Sequence, residues 1–357
     1  MKKILIEGMT DNMGGLEKFV YTLYGILKDD YAIDFITVDE RIPFQDEFLE
    51  NGSKIFRITP RYKSVIQYKK DIERVFSENG YDIFWFNKTT LSSFYSLKCA
   101  GKYQVRKVIC HSHASKNLGS KATWIMHMCN RKRAMKYVDY KIACSEEAAG
   151  WFYGDKIDDV MILANGVDVD KYEPSEEVRT EKRKEFGLSD AFTIGHIGRI
   201  SEVKNHKFLI RIFSELCKEE DARLILCGDG PLLDDVRNQV KEEGIEDKVK
   251  FAGVRSDIPE ILQSMDVMVF PSLHEGLPFA LVEAQASGLP CVVSDTVSRE
   301  VKLTDIVNFV SLDAPIEEWI KVISKYRDYV KVSKKTQLAE KGFDLDEMRK
   351  KVFEIID

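Results

Sequence analysis

Residues 193–231 read TIGHIGRISEVKNHKFLIRIFSELCKEEDARLILCGDGP. A β-rich run, Thr193–Ile197, enters the polar loop Gly198–His206. An amphipathic helical pattern, Phe208–Glu219, comes next, and a second β-rich run, Arg223–Cys227, ends in the tight turn Gly228-Asp229-Gly230-Pro231. Strand, helix and strand in this order set the rhythm of a parallel sheet with helices on both faces.

The rhythm continues downstream through helix Leu232–Glu242, strands Val249–Phe251 and Val267–Phe270, helix Phe279–Ser287, and strands Cys291–Ser294 and Val307–Ser311. Upstream it is broken by residues 171–190, a polar stretch with Pro174 that reads as a linker plus a short charged helix. Before the break it runs a first time. Strands are expected at Lys3–Ile6, Ala32–Val38, Lys54–Ile58, Asp82–Phe86, Lys107–His111, Lys141–Cys144 and Val160–Leu163, with helices at Leu16–Leu27, Val65–Glu78 and Thr90–Cys99. The expected fold is α/β: two tandem Rossmann-like, doubly wound domains, 1–170 and 171–344, facing a central cleft. The tail 345–357 is expected as a helix crossing back to the first domain. Ligands of such sheets bind at the carboxyl ends of the strands.

The chain has 357 residues, 44% hydrophobic and 31% charged, which suits two domains of roughly 150–180 residues and excludes fibrous and disordered classes. The net charge of -6 argues against a nucleic-acid binder. It also hides a split, since residues 98–141 carry eleven Lys and Arg and one acid, Asp139. That asymmetry points to an anionic ligand or surface met by the first half. The seven cysteines are scattered, without a CxxC pair or metal-ligand spacing, and read as reduced thiols of a cytoplasmic protein. The N-terminal MKKILIEGMTDN lacks the apolar run of about 7–15 residues that a signal peptide needs.

Several strand ends carry chemistry. Gly14 and Gly15 open a helix after the first strand, where backbone N–H groups can approach a phosphate; a tight turn explains them equally. No GxGxxG follows either domain's first strand, which disfavours a nicotinamide oxidoreductase. His111 and His113 end the fifth strand and are expected to divide, one toward the cleft and one into packing. Arg199 and Lys204 share one loop and suit a diphosphate, Arg through its planar fork and Lys as a point charge; a solvated loop is the alternative. In PSLHEGLPFALVEAQASGLP, residues 271–290, Glu275 lies on a loop and Glu283 lies inside the helix that starts near Phe279. Two carboxylates bracketing a helix N-terminus suit a sugar nucleotide, with hydroxyls at the acids and phosphates at the N–H groups.

The spacing Glu275-x7-Glu283, Ser287-Gly288-Leu289-Pro290, the Gly198/Arg199/Lys204 loop, Gly228-Asp229-Gly230, Gly14-Gly15-x-Glu17 and Asn165-Gly166-Val167-Asp168 together resemble glycosyltransferase family 4 over nearly the whole chain. The HSHAS and EGLPFALVEAQASGLP segments look most like the subgroup that builds bacterial capsular and exopolysaccharides. The resemblance implies a GT-B fold and a retaining, metal-independent hexosyltransferase without a cofactor. It would use a nucleoside-diphosphate sugar, with UDP the expected nucleotide, and a saccharide or lipid-linked saccharide acceptor.

By the same resemblance Gly15 would offer its amide to the donor diphosphate and His113 would contact the transferred sugar. Arg199 and Lys204 would neutralise the leaving group, Glu275 would hold sugar hydroxyls, and Glu283 the ribose. Amides around Gly276, Leu277 and Phe279 would bind phosphate or sugar, with Gly253 and Val254 beside the base. Leu277-Pro278 departs from the Phe-Gly pair of many members, and Pro278 lacks an N–H. A non-hydrolysing sugar-nucleotide epimerase and a non-catalytic subunit of a polysaccharide assembly complex are the competing readings. Residues 116–136 combine cations with Trp124, Ile125, Met126 and Met128. They read either as a peripheral contact with the inner membrane surface, or with a polyprenyl-diphosphate-linked acceptor, or as a core-facing stripe with a solvated basic side.

Overall fold

The computed structural model describes residues 1–357 except Met13, Leu118, Asp155, Lys156 and Ser189. Leu118, within the basic stretch 116–136, thus lies outside the described residues. The chain divides into two compact units, one of Met1–Gly166 with Asp346–Asp357 and one of Val167–Leu345.

The first unit holds β1 (Lys2–Glu7), β2 (Tyr31–Thr37), β3 (Ile55–Arg57), β4 (Ile83–Lys88), β5 (Lys107–Ser112), β6 (Tyr140–Ala143) and β7 (Val160–Ile162). They form one parallel sheet in the order β3-β2-β1-β4-β5-β6-β7. The second holds β8 (Phe192–Ile197), β9 (Ala222–Cys227), β10 (Val249–Gly253), β11 (Val267–Phe270), β12 (Cys291–Ser294) and β13 (Val307–Val310). Its sheet is again parallel, in the order β10-β9-β8-β11-β12-β13. In each sheet the strand order reverses once, between β1 and β4 and between β8 and β11, which opens a crevice at the carboxyl ends of those strands.

The middles of the long strands are buried and mostly apolar because helices cover both faces. Val267, Met268, Val269 and Phe270 of β11 are all fully buried. On the helix His206–Glu219, Leu209, Ile210, Ile212, Phe213 and Leu216 are buried together against β8 and β9 residues such as Ile194 and Leu224. A matching core in the first unit gathers Leu5, Phe84, Val108 and Cys110 with Ile72, Val75 and Phe76 of the helix Val65–Asn79. The last helix, Leu345–Ile356, buries Met348, Val352, Ile355 and Ile356; Met348 Sδ accepts from the Gly166 N–H at 3.3 Å, and Lys107 Nζ reaches the Ile355 carbonyl.

The thirteen expected strands are present, with ends shifted by a residue or two. One helix differs. The pattern at 90–99 predicts a helix from Thr90, but it spans Tyr95–Lys102. The backbone just before it is bound by side chains instead. Leu91 N–H donates to His127 Nδ1, Asn130 Nδ2 to the Leu91 carbonyl, and Trp151 Nε1 to the Thr89 carbonyl. Helices Glu146–Tyr153, Ile258–Ser264 and Ile316–Ile323 are of seven or eight residues, too short for their periodicity to announce them.

Candidate active site

Both ends of the strand-order reversal in the second unit carry a charged residue. Gly198–His206 leaves β8 and holds Arg199 and Lys204, while the loop after β11 holds Glu275. Two hydrogen bonds lace the loops together, from Leu273 N–H to the Val203 carbonyl at 2.8 Å and from Asn205 Nδ2 to the Pro271 carbonyl at 3.1 Å. Asn205 makes its bond from a left-handed backbone, with φ 55° and ψ 43°. The lacing brings Lys204 Nζ to 2.8 Å from Glu275 Oε1 and 4.4 Å from the centre of the Phe270 ring. Arg199, on the same loop, is exposed.

The turn after β9 closes against this loop. Ile200 N–H donates to the Asp229 carbonyl and Leu232 N–H to the Ile200 carbonyl. Gly228 and Gly230 are required by that approach. A Cβ on Gly228 would stand 2.0 Å from the Gly198 oxygen, and one on Gly230 2.2 Å from the Ile200 oxygen. Gly228 N–H in turn donates to the carbonyl of Gly253, which ends β10 with φ +69°, and Val254 beyond it is exposed.

Gly276 and Leu277 are partly exposed, Pro278 is buried, and Phe279 begins the helix Phe279–Ala286. Its N-cap residue, Pro278, makes no side-chain cap bond and no acid sits in the first turn, and the dipole of such an N-terminus attracts anions. Glu283 lies one turn in, 4% exposed, and accepts from the Tyr172 hydroxyl at 2.9 Å.

The reversal in the first unit carries a second Lys–Glu pair. Glu7 ends β1 and Lys88 ends β4, with Lys88 Nζ 2.7 Å from Glu7 Oε1. Beside it, His113 Nε2 donates to Asn87 Oδ1 at 2.9 Å, because Asn87 Nδ2 is directed to the Glu7 carbonyl. The His113 Nδ1 lone pair is then the imidazole's acceptor. Burial holds this ring's pKa down to about 3, so it is neutral at physiological pH and works as a hydrogen-bond group rather than an acid. His111 and His113 do not divide. Their rings lie 4.0 Å apart and both contact Phe19, since His113, one residue past the end of β5, keeps to the face that His111 takes on the strand. The glycine pair also separates in role. Gly14 N–H is taken by Glu17 Oε2 at 3.0 Å, and Glu17 Oε1 receives Thr10 N–H and Oγ1. Gly15 occupies the first helical position, its carbonyl held by Asn165 Nδ2.

The basic stretch forms the helix Lys121–Ala134. Its inner side is His127 and Ala134, both fully buried, while Trp124, Ile125 and Met128 are exposed. The core-facing reading of that stripe therefore fails. Arg61 donates to Met126 Sδ and to the Ser92 carbonyl, tying this helix to the segment that carries the exposed Tyr62, Val65 and Ile66. A cavity of about 640 Å³ in the second unit lies elsewhere, among Arg179, Arg183, Asp266 and Arg327. Its cations already serve structure, Arg179 pairing with Asp266 and Arg327 with Glu220.

Residues 13–171 match the family model described as Glycosyltransferase Family 4, and residues 178–325 match Glycosyl transferases group 1. EpsF, a candidate glycosyltransferase of Bacillus subtilis (strain 168), is 30% identical over 365 residues, covering 96% of this chain and 93% of its own. The chain belongs to glycosyltransferase family 4. An Escherichia coli UDP-Gal:alpha-D-GlcNAc-diphosphoundecaprenol alpha-1,3-galactosyltransferase is 34% identical over 38% of this glycosyltransferase and 36% of its own length. Among solved structures, Anabaena HepE in complex with UDP and glucose superposes with a TM-score of 0.78 at 20% identity over 99% of both chains. WaaG, a glycosyltransferase involved in lipopolysaccharide biosynthesis, gives 0.70 at 13% identity. The fold of the glycosyltransferase is GT-B, two Rossmann-like domains in tandem.

Four features of the glycosyltransferase's sites were missed in the sequence. They are the Glu7–Lys88 pair, Asn87 under His113, Tyr172 on Glu283, and the buried histidines beneath Lys204. His196 Nδ1 donates to the Val269 carbonyl at 2.9 Å, and its ring stacks on Phe270 and meets His206 edge-on. Burial, with Lys204 nearby, holds the His206 pKa down to about 4; burial and the neighbouring His206 lower that of His196 as well. Both rings are thus neutral supports. Only the strand-end position of Glu7, a lone acid after the apolar Ile4-Leu5-Ile6, offered a signal.

Proposed function

We propose that this glycosyltransferase moves a hexosyl unit, with retention of anomeric configuration, from a nucleoside-diphosphate sugar to a saccharide or polyprenyl-diphosphate-linked acceptor in bacterial surface polysaccharide synthesis. UDP is the nucleotide of choice. The observation that carries the proposal is the Lys204–Glu275 contact at 2.8 Å, at the strand-order reversal of the second unit and ahead of the N-terminus of the helix Phe279–Ala286. A cation and N–H dipoles suit a diphosphate, and the carboxylate suits sugar hydroxyls. The names of the relatives support the same chemistry, since HepE was obtained with UDP-glucose and the E. coli enzyme is named for UDP-Gal and a GlcNAc-diphosphoundecaprenol.

In this reading Arg199, Lys204 and the amides of Gly276, Leu277 and Phe279 take up the charge that develops on the departing nucleoside diphosphate, with neither metal nor other cofactor. Gly15 adds an amide, Glu275 and Glu283 orient the sugar and the ribose, and Gly253 and Val254 flank the base. His113 Nδ1 accepts from a hydroxyl of the transferred sugar. The exposed surface of Trp124, Ile125, Met128, Tyr62, Val65 and Ile66, together with the basic stretch 98–141, rests on an anionic membrane from the cytoplasmic side and brings the lipid acceptor within reach.

A thermal-shift screen against UDP-, GDP- and ADP-sugars tests the donor class, followed by transfer to a lipid-linked saccharide with anomer analysis. Stabilisation by a UDP-sugar and loss of transfer in Lys204→Ala and Glu275→Ala are expected. No response to any nucleotide sugar would overturn the proposal.

A further inference from the structure

The contact between Lys204 and Glu275 has a consequence for which ligand the glycosyltransferase prefers. Lys204 Nζ lies 2.8 Å from Glu275 Oε1, and the two side chains are only 15% and 22% exposed. Neither partner can drift away, because the loops are held by backbone. Leu273 N–H is bonded to the Val203 carbonyl, Lys204 N–H to Ser201, and Glu275 forms a parallel bridge with Val297 while its carbonyl accepts from Ser298 N–H. The Phe270 ring, 4.4 Å from Lys204 Nζ, is a second neighbour that holds the ammonium in place whatever Glu275 does.

An incoming diphosphate competes with Glu275 for the same ammonium. A bare nucleoside diphosphate that takes Lys204 leaves a sheltered carboxylate without its partner and beside new negative charge, which is costly. A nucleotide sugar does not leave it so, because its hydroxyls donate to Glu275 as its phosphates take Lys204. Resting on the donor-site reading above, we propose that Glu275 is a specificity-determining residue: it holds Lys204 in an internal ion pair that a sugar-bearing donor can replace and a bare nucleoside diphosphate cannot. The pair thus favours donor over spent product, and its re-formation after transfer drives the nucleoside diphosphate out.

Calorimetric titration with UDP and, separately, with inorganic pyrophosphate tests this on the full-length protein, Glu275→Gln, Lys204→Met and the double variant. Since the Glu275 backbone is held independently of its side chain, Glu275→Gln should keep the wild-type melting temperature to within a few degrees. Both ligands should bind Glu275→Gln about tenfold more tightly than wild type, the scale of one charge-assisted hydrogen bond. Glu275→Gln should give no gain once Lys204 is already Met, as expected of a coupled pair. Equal binding to wild type and Glu275→Gln, or a gain that survives in the double variant, overturns the inference and leaves the donor-site reading standing. Failure of every variant and of wild type to bind either ligand overturns both.

Discussion

The Tyr172 hydroxyl donates to Glu283 Oε1 at 2.9 Å, joining the segment that enters the second unit to the helix behind its candidate phosphate site. Both residues are buried, Tyr172 at 8% and Glu283 at 4% exposure. Burial and the adjoining carboxylate together raise the Tyr172 pKa, so the phenol remains a donor at any working pH. Tyr172→Phe removes this charge-assisted bond and leaves Glu283 to other partners. It should lower stability by about 1.5–3 kcal/mol and raise KM for the donor severalfold, with a smaller effect on kcat. Melting curves and donor-saturation kinetics check it; a variant indistinguishable from wild type in both would show that Glu283 does not rely on this bond.

The Gly228-Asp229-Gly230 turn acts through the space it leaves. A methyl group at Gly230 would meet the Ile200 oxygen at 2.2 Å, and one at Gly228 would meet the Gly198 oxygen at 2.0 Å in a φ +140° backbone. Either alanine must push the Arg199–Lys204 loop outward. A loss of about 1–3 kcal/mol is expected for each. Donor affinity should fall further in Gly228→Ala, which carries both the clash and the unfavourable φ. Alanine at the open Gly244 position, with φ +67° but no neighbour within 4 Å, separates backbone strain from displacement of the loop.

Acid should weaken the protein before its carboxylates titrate. Burial holds His206 at about 4, whereas an unfolded chain carries it near 6.5. Between these values the unfolded state binds the extra proton, so stability is complete above about pH 6.5 and falls as pH drops toward 4. At pH 5 this one ring accounts for a loss of about 2 kcal/mol. His113, held at about 3, continues the trend to lower pH. Denaturant melts at pH 7.5 and pH 5 measure the slope, and His206→Gln should flatten it. An unchanged slope in that variant would place the acid sensitivity elsewhere.

The apolar surface on the first unit predicts binding to vesicles of anionic phospholipid. Trp124 is 45% exposed and Ile66 71%, and the hydrogen bond from Arg61 to Met126 Sδ ties their two segments together. Trp124→Ser with Ile66→Ser should reduce sedimentation with phosphatidylglycerol vesicles about tenfold or more, and charge reversal at Lys132 and Arg133 should remove the salt-sensitive part. Equal binding to phosphatidylcholine and phosphatidylglycerol vesicles, or binding indifferent to these changes, would refute the membrane contact.

The sequence by itself determined the architecture. Alternating apolar runs and amphipathic stretches specify a parallel sheet locally, since the central strands are apolar on both faces and each helix on one. That is why all thirteen strands were legible and why the motif order pointed to one family. The placement of single residues was legible where it depended on one short segment, as with Arg199, Lys204 and Glu275 on loops and Glu283 inside a helix.

Only the tertiary structure decided partnerships across distance in the chain. Lys204 meets Glu275 and Tyr172 meets Glu283 because the strand order β8-β11 makes neighbours of loops some seventy residues apart and the interdomain segment packs on a later helix. Glu7 meets Lys88 by the same logic between β1 and β4. The side on which Trp124 lies was likewise undecidable from its helix alone, since what sets the inner face is the bond from Leu91 to His127. Periodicity is a property of neighbours along the chain, whereas pairing of charges and the filling of a surface depend on topology, which brings together residues that share no local signal.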